Sequence, residues 1–376
     1  MEIEHSSILQ WADEQMLFDV VHVSTKHNNF QLLGWTVNQL GGGIGNPVSV
    51  GLYRYSGIGQ ATDGKFKWSV ILKIIQSPAN VGRQNMGEGE DQTHWNFWKR
   101  EWFAYQSGVF SNLPGGLCVP KCYKTYEIPE NRIFLWLEDI DDSNNGNWTL
   151  DHFTFTASQL GKLNATSFSD DMLKAYPWLS IERNRQWIKM MPNWKDVLWD
   201  HPIMLNHYPP PEENPFRQML MESEHFLSKL DLLPKVICHG DTYPTNFMAR
   251  KGRNGKLQTV ALDWALMGIQ PIGDDLGQFV YGAINMLKGS DEDLVQESLF
   301  DAYLAGLQEN GLQIDPNQVR FGFTASAALR VGLFQIYLLS EDIKQTTTES
   351  GKKVGSESPQ ECFEVKMAKQ AYQLIL

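Results

Sequence analysis

Apolar residues along this chain follow two rhythms, largely alternation up to about residue 140 and helical spacing beyond it. The first segment is an exception: Ile8, Leu9, Trp11, Ala12, Met16 and Leu17 recur at helical spacing and predict a helix before about residue 30. From Phe30 the pattern shortens to strands. Trp35 and Val37 precede the glycine-dense run Leu40-Gly41-Gly42-Gly43-Ile44-Gly45-Asn46-Pro47, and Val48, Val50, Leu52 and Tyr53 follow it. Residues 68–75 read as a strand with Lys73 on the face shared by Ile71 and Ile75. The polar stretch 78–91 predicts a loop, after which Trp95, Trp98, Trp102 and Tyr105 form one helical stripe with Glu101 at its edge. Strands are predicted over 119–126 and 132–137, ending at the acidic run Glu138-Asp139-Ile140-Asp141-Asp142.

Past Asn147 the pattern turns helical. Helices are predicted over 150–168, 178–207 and 216–230, broken at Pro209-Pro210-Pro211, and later over 276–287, 294–307, 319–339 and 362–375. Residues 346–358 are polar and predict a surface loop. Three apolar triplets, 236–238, 247–249 and 260–262, interrupt the helices as short strands. The expected fold class is α+β, with a small β-rich lobe over residues 1–140 and a larger, mainly helical lobe over 141–376.

Candidate chemistry concentrates between the last strands. Asn254-Gly255 is a strong signal for a two-residue hairpin turn, and such a turn makes residues whose numbers sum to 509 face each other. Asn246 then lies opposite Asp263. An amide oxygen and a carboxylate side by side suit Mg²⁺, which takes few protein ligands plus phosphate oxygens and water. Asp241, on the loop entering the hairpin, is placed to accept a proton from an attacking hydroxyl. Lys73, an ammonium on a buried strand face, must be paired or reach a polar cleft, and Glu101 is its natural partner over Glu88 and Glu90 on their glycine-rich loop.

The ordered set His239-Gly240-Asp241, Asn246 and Asp263 resembles the catalytic and metal-binding segment of the aminoglycoside phosphotransferase family, relatives of the protein kinases. Gly273-Asp274-Asp275-Leu276 is similar to that family's next segment. The resemblance implies a two-lobed protein-kinase-like fold that transfers the γ-phosphate of ATP to a small hydroxylated molecule with Mg²⁺. It makes Asp241 the catalytic base, Asn246 and Asp263 the metal ligands, and Lys73 with Glu101 the phosphate clamp. Gly43, Gly45 and Asn46 become a loop over the phosphates, although Val48 stands where a third glycine is expected. Glu138 and Ile140 resemble the hinge that grips the adenine through backbone groups, His239 shapes the loop by hydrogen bonding, and Asp275 braces it.

Composition narrows the partners. A net charge of −12 argues against a nucleic-acid or anionic-membrane surface and leans toward cationic small molecules. The N-terminus lacks a secretory pattern and the four cysteines, Cys118, Cys122, Cys238 and Cys362, form no dense disulfide framework, so cytoplasmic location is the default expectation. Two rival functions share much of this pattern: a catalytically inactive nucleotide- or ligand-binding protein, and a protein kinase. Trp264-Ala265 after Asp263, and the short interval to Asp275, speak against the second.

Overall fold

A computed structural model describes residues 12–41, 48–81, 89–142, 146–166, 170–190, 197–252, 255–348 and 362–375. Helix α1 (Glu14–Thr25) starts where the Asp13 side chain accepts from the N–H of Met16, and it buries Leu17, Val20 and Val21. In chain order follow β1 (Phe30–Leu40), β2 (Ser49–Ala61), β3 (Gly64–Gln76), α2 (Arg100–Gln106), β4 (Leu117–Cys118), β5 (Cys122–Ile128) and β6 (Arg132–Glu138). Five of these strands make an antiparallel sheet in the order β1-β2-β3-β6-β5. Period-two alternation splits β3 cleanly. Val70, Leu72 and Ile74 pack under α1 with Tyr55 and Trp136, while Ile71 and Ile75 join Trp98, Leu135 and Leu137 on the opposite face. Lys73 shares that second face.

The larger, helical part comprises α3 (Leu150–Asn164), α4 (Asp170–Ala175), α5 (Arg183–Met190), α6 (Pro202–His207), α7 (Pro215–Met221) and α8 (Ser223–Asp231). It continues through β7 (Lys235–Cys238), β8 (Phe247–Lys251), β9 (Leu257–Ala261) and β10 (Gly268–Pro271), then α9 (Asp274–Met286), α10 (Glu292–Glu309), α11 (Pro316–Thr348) and α12 (Phe363–Leu374). A single large core joins these helices, with Phe153, Leu160, Phe226, Trp264, Phe279, Tyr303 and Phe323 wholly buried. The α+β class and its division into a sheet-rich first part and a helical second part are as the sequence led us to expect.

Three local expectations are corrected. The aromatic stripe is not one helix: α2 begins only at Arg100, and Trp95 leaves the stripe to pack on Trp187 with ring centroids 5.1 Å apart. The carbonyls of Gln92, His94 and Trp95 accept from the Arg100 guanidinium, so the backbone there is drawn into turns around that side chain. The helix expected over 178–207 is interrupted as well. Ser180 is extended and bridges to β10, where Ile269 N–H donates to its carbonyl at 2.7 Å. The run expected over 216–230 divides into α7 and α8 at Glu222.

Candidate active site

Two clusters of polar side chains meet beneath the sheet. The first is built on β3, a strand hydrogen-bonded on both sides, which holds Lys73 with 12% of its side chain exposed. Its Nζ lies 2.5 Å from Glu101 Oε2 on α2 and 2.9 Å from Asp263 Oδ1. Glu90, the competing carboxylate, instead accepts from Ser77 Oγ and Trp98 Nε1. Burial works against the Lys73 ammonium, but Asp263 and Glu101 more than offset it and hold its pKa above the ordinary lysine value. Burial likewise opposes the Asp263 carboxylate, and Lys73 reverses the sign and holds its pKa below the usual range. Glu101 is lifted by burial with Lys73 pulling the other way. The backbone N–H groups of Trp264 and Ala265 donate to Glu101 and Asp263, tying helix and loop together.

The second cluster is the loop after β7. Gly240 sits at φ +87°, and a Cβ there would overlap the Leu266 carbonyl and crowd the Arg183 guanidinium. Asp275, in the first turn of α9, accepts from the N–H groups of His239 and Gly240 at 2.9 Å each and from Asn164 Nδ2 at 3.1 Å. Thr242 Oγ1 donates to the Asp275 carbonyl. His239 is wholly buried, with Nδ1 accepting from the Asp241 N–H at 3.2 Å and Nε2 donating to the Leu262 carbonyl at 2.9 Å. That pattern fits only the neutral ring with its proton on Nε2, and burial accordingly depresses the imidazole pKa. Asp241 takes Asn246 Nδ2 on Oδ2 at 3.0 Å, Gln278 Nε2 on Oδ1 at 2.9 Å, and Arg330 Nη2 at 3.8 Å.

Asn246 and Asp263 are near one another by a route other than the expected one. Phe247 faces Ala261 and Lys251 faces Leu257, a register in which paired numbers sum to 508 instead of 509. Gly252 N–H donates to the Lys256 carbonyl, a pair that keeps this register, while Asn254, half of the expected Asn254-Gly255 turn, lies outside the described residues. Asn246 is thereby matched with Leu262, whose N–H donates to its carbonyl at 2.8 Å. Asp263 comes one residue later, at φ 55°, a left-handed turn that swings its carboxylate toward Lys73.

The donor chemistry fits a divalent cation. Asn246 turns its Nδ2 to Asp241 and leaves Oδ1 without a hydrogen bond among the described residues, and Asp263 supplies a carboxylate held in its charged form. Both are hard oxygen donors of the kind Mg²⁺ takes. A different trio, Cys238, Asp274 and Asp275, lies close enough to be compared with a metal site. Its oxygens are already spent on Arg183, Asn184, Asn164 and loop amides, and burial pushes the Cys238 thiol well up, so it is a structural cluster.

Glu138 gives its N–H to the Lys121 carbonyl and its carboxylate to Arg250, whereas the backbone of Ile140 makes no hydrogen bond among the described residues. Two acidic residues beside them are committed to structure. Asp139 pairs with Arg54 at 2.8 Å and accepts from Ser69, and Asp142 accepts from the Ala249 N–H. Gly43, Gly45 and Asn46 lie outside the described residues.

Four residues at the site escaped the sequence reading. Arg100, beside Glu101, spends all five guanidinium hydrogens on carbonyls, those of Trp178, Trp95, Ala265, Gln92 and His94. Its burial and the nearby Arg183 push its pKa down to about 9. Arg183, also buried, donates to the Gly240 carbonyl and pairs with Asp274. Gln278 and Arg330 flank Asp241. A charged residue within an otherwise apolar helical stretch was the available signal for Arg330; the other three had none.

Comparison with known proteins gives one family match: residues 156–315 fit the model of the phosphotransferase enzyme family. No curated protein matches the chain. Among solved structures, an amicoumacin kinase with AMP-PNP and Ca²⁺ is 16% identical, covers 98% of this chain and 95% of its own, and superposes with a TM-score of 0.48. A spectinomycin phosphotransferase with ADP is 11% identical over 94% of this chain and 93% of its own, TM-score 0.48. An ethanolamine kinase from Plasmodium vivax is 10% identical over 96% of this chain and 88% of its own, TM-score 0.46.

Proposed function

We propose, from the match of residues 156–315 to the model of the phosphotransferase enzyme family, an ATP-dependent kinase of a small hydroxylated molecule, with Mg²⁺ as its divalent cation. The observation that carries this reading is the joining of two frames. Lys73, Glu101 and Asp263 are in direct contact, Asp241 and Asn246 are in direct contact, and His239 and Leu262 hold the two sets together.

Each residue has a separable task. Lys73, kept cationic and anchored by Glu101, holds nucleotide phosphates through Coulomb attraction and hydrogen bonding. Asn246 Oδ1 and the Asp263 carboxylate would hold the divalent cation, which when bound would supply positive charge to screen the phosphates. Asp241 orients the acceptor hydroxyl. As the hydroxyl oxygen forms its bond to the γ-phosphorus, the bond from that phosphorus to the bridging oxygen breaks and its electron pair leaves on ADP. The hydroxyl proton passes to the Asp241 carboxylate and from there to solvent. His239, neutral and spent on two hydrogen bonds, keeps the Asp241 backbone in place and carries no proton in this step.

The test is a coupled ADP-release assay across a library of hydroxyl compounds, with wild type and Asp241→Asn side by side. Wild type should release ADP with some acceptor, and the variant should lose about 10²-fold or more in turnover while binding AMP-PNP with Mg²⁺ as before. Undiminished turnover in the variant would remove Asp241 from the reaction.

A further inference from the structure

Beside Asp241 the fold leaves two polar atoms unmatched. Arg330, on α11, is 8% exposed, and its Nη2 stands 3.8 Å from Asp241 Oδ1 while Nη1 has no hydrogen-bond partner. Gln278, on α9, spends Nε2 on that same carboxylate oxygen, and its Oε1 is buried without a partner. Native interiors rarely leave such groups unmet, and each costs about 1–3 kcal/mol when they do.

The other carboxylates acting on Arg330 are engaged elsewhere. Asp274 is held by Arg183 and Asn184, and Asp275 by the loop amides and Asn164. The charged groups acting on Arg330 are Arg183, Asp241, Asp274 and Asp275. Burial and Arg183 lower its pKa to about 10, so near neutral pH it remains a cation.

We propose that Arg330 and Gln278 are the anchor for the phosphate acceptor, reading an oxygen next to the hydroxyl that is phosphorylated. This rests on the phosphotransferase reading above, since Asp241 marks where that hydroxyl lies. Because both side chains converge on Asp241 Oδ1, a neighbouring hydroxyl can meet both needs, its oxygen accepting from Arg330 Nη1 and its hydrogen donating to Gln278 Oε1. A carboxylate satisfies Arg330 alone. An ammonium at that position is repelled by the guanidinium. The substrate class is therefore a diol or hydroxy acid at the reacting end, and any cationic group it carries, which the net charge of −12 would favour, sits away from that end.

Ligand-observed NMR on the full chain with AMP-PNP and Mg²⁺ tests this without turnover, using glycerol, glycerate and ethanolamine as matched probes. Glycerol and glycerate should bind more tightly than ethanolamine, and Arg330→Gln should weaken them about 10- to 100-fold, the range expected for a hydrogen bond to a charged group. Arg330→Lys should recover part of the loss. Should Arg330→Gln not fold, Gln278→Leu carries the test and should weaken glycerol more than glycerate. Ethanolamine binding as well as glycerol, no detectable preference among the three, or variants that bind glycerol like wild type would overturn the proposal. Calorimetry of AMP-PNP with Mg²⁺ on the same proteins is separate: its failure in wild type strikes the phosphotransferase reading, while its loss only in Arg330→Gln assigns that residue to the nucleotide instead.

Discussion

Carboxylates held charged against burial set how this protein responds to acid. Asp274 is the clearest case, because burial raises its pKa but Arg183 and Arg330 reverse the effect and leave it below the ordinary value. As pH falls, the unfolded chain takes up this proton before the folded one does, so the stability from the pair is complete above about pH 4 and is lost as pH drops through the folded-state pKa. His239 has the same sign at a higher pH: its depressed pKa makes the unfolded chain protonate first below about 6.5. Urea midpoints measured from pH 7 to pH 3 should therefore fall in two stages. Asp274→Asn should start about 3–5 kcal/mol lower at neutral pH and show a smaller second stage, with Asp263 still contributing to it; an unchanged acid profile would show that the Arg183 pair does not contribute to it. At this scale the sequence reading reached far, since His239, Asp241, Asn246, Asp263 and Asp275 fall within one short stretch. Arg100, Arg183 and Gln278 were out of reach because each acts through contacts with remote segments.

Among the elements, the loop after β7 is the one whose shape the site depends on. Gly240 meets three demands at once: a positive φ, close approach of the Leu266 carbonyl, and room for the Arg183 guanidinium that binds its own carbonyl. Gly240→Ala should cost about 1–2 kcal/mol for the left-handed backbone and about 1–3 kcal/mol for the overlap. It should lower turnover more than nucleotide affinity, because Asp241 is the next residue. Thermal melting and ADP-release kinetics check both, and a variant with wild-type kinetics would show that the loop tolerates a shift. The hairpin teaches the complementary lesson. Its strands were legible from apolar triplets, but its register was not: the observed pairs sum to 508, one residue off the register that a tight turn on Asn254-Gly255 suggested. Asp263, one residue past the Asn246–Leu262 pairing, has a left-handed backbone and turns its carboxylate to Lys73.

Over the whole molecule, the sheet-rich and helical parts are stitched together around the candidate site. Strand β4, which lies outside the five-stranded sheet, pairs in parallel with β9, Leu117 opposite Thr259, and Glu138 reaches Arg250 on β8. Lys73 from one part pairs with Asp263 from the other, and Arg100 reaches the Ala265 carbonyl from the base of α2. Ligands that bind at this seam should stabilise both parts together. ATP with Mg²⁺ at about a hundred times its Kd should add about 2.7 kcal/mol and raise Tm by a few degrees in a single transition. Chelation of the metal should remove most of that gain, as should Asp263→Asn; a nucleotide shift indifferent to both would take Asp263 out of the metal site. By itself, the sequence determined the elements and the local chemistry: alternation and helical spacing fix which face of each element is apolar, and turn residues place a charged loop between short strands. The tertiary structure alone decided the partners, because a guanidinium or amide satisfies its hydrogen bonds with whatever acceptor the packing of remote helices brings within about 3 Å, and no pattern along the chain records which one that will be.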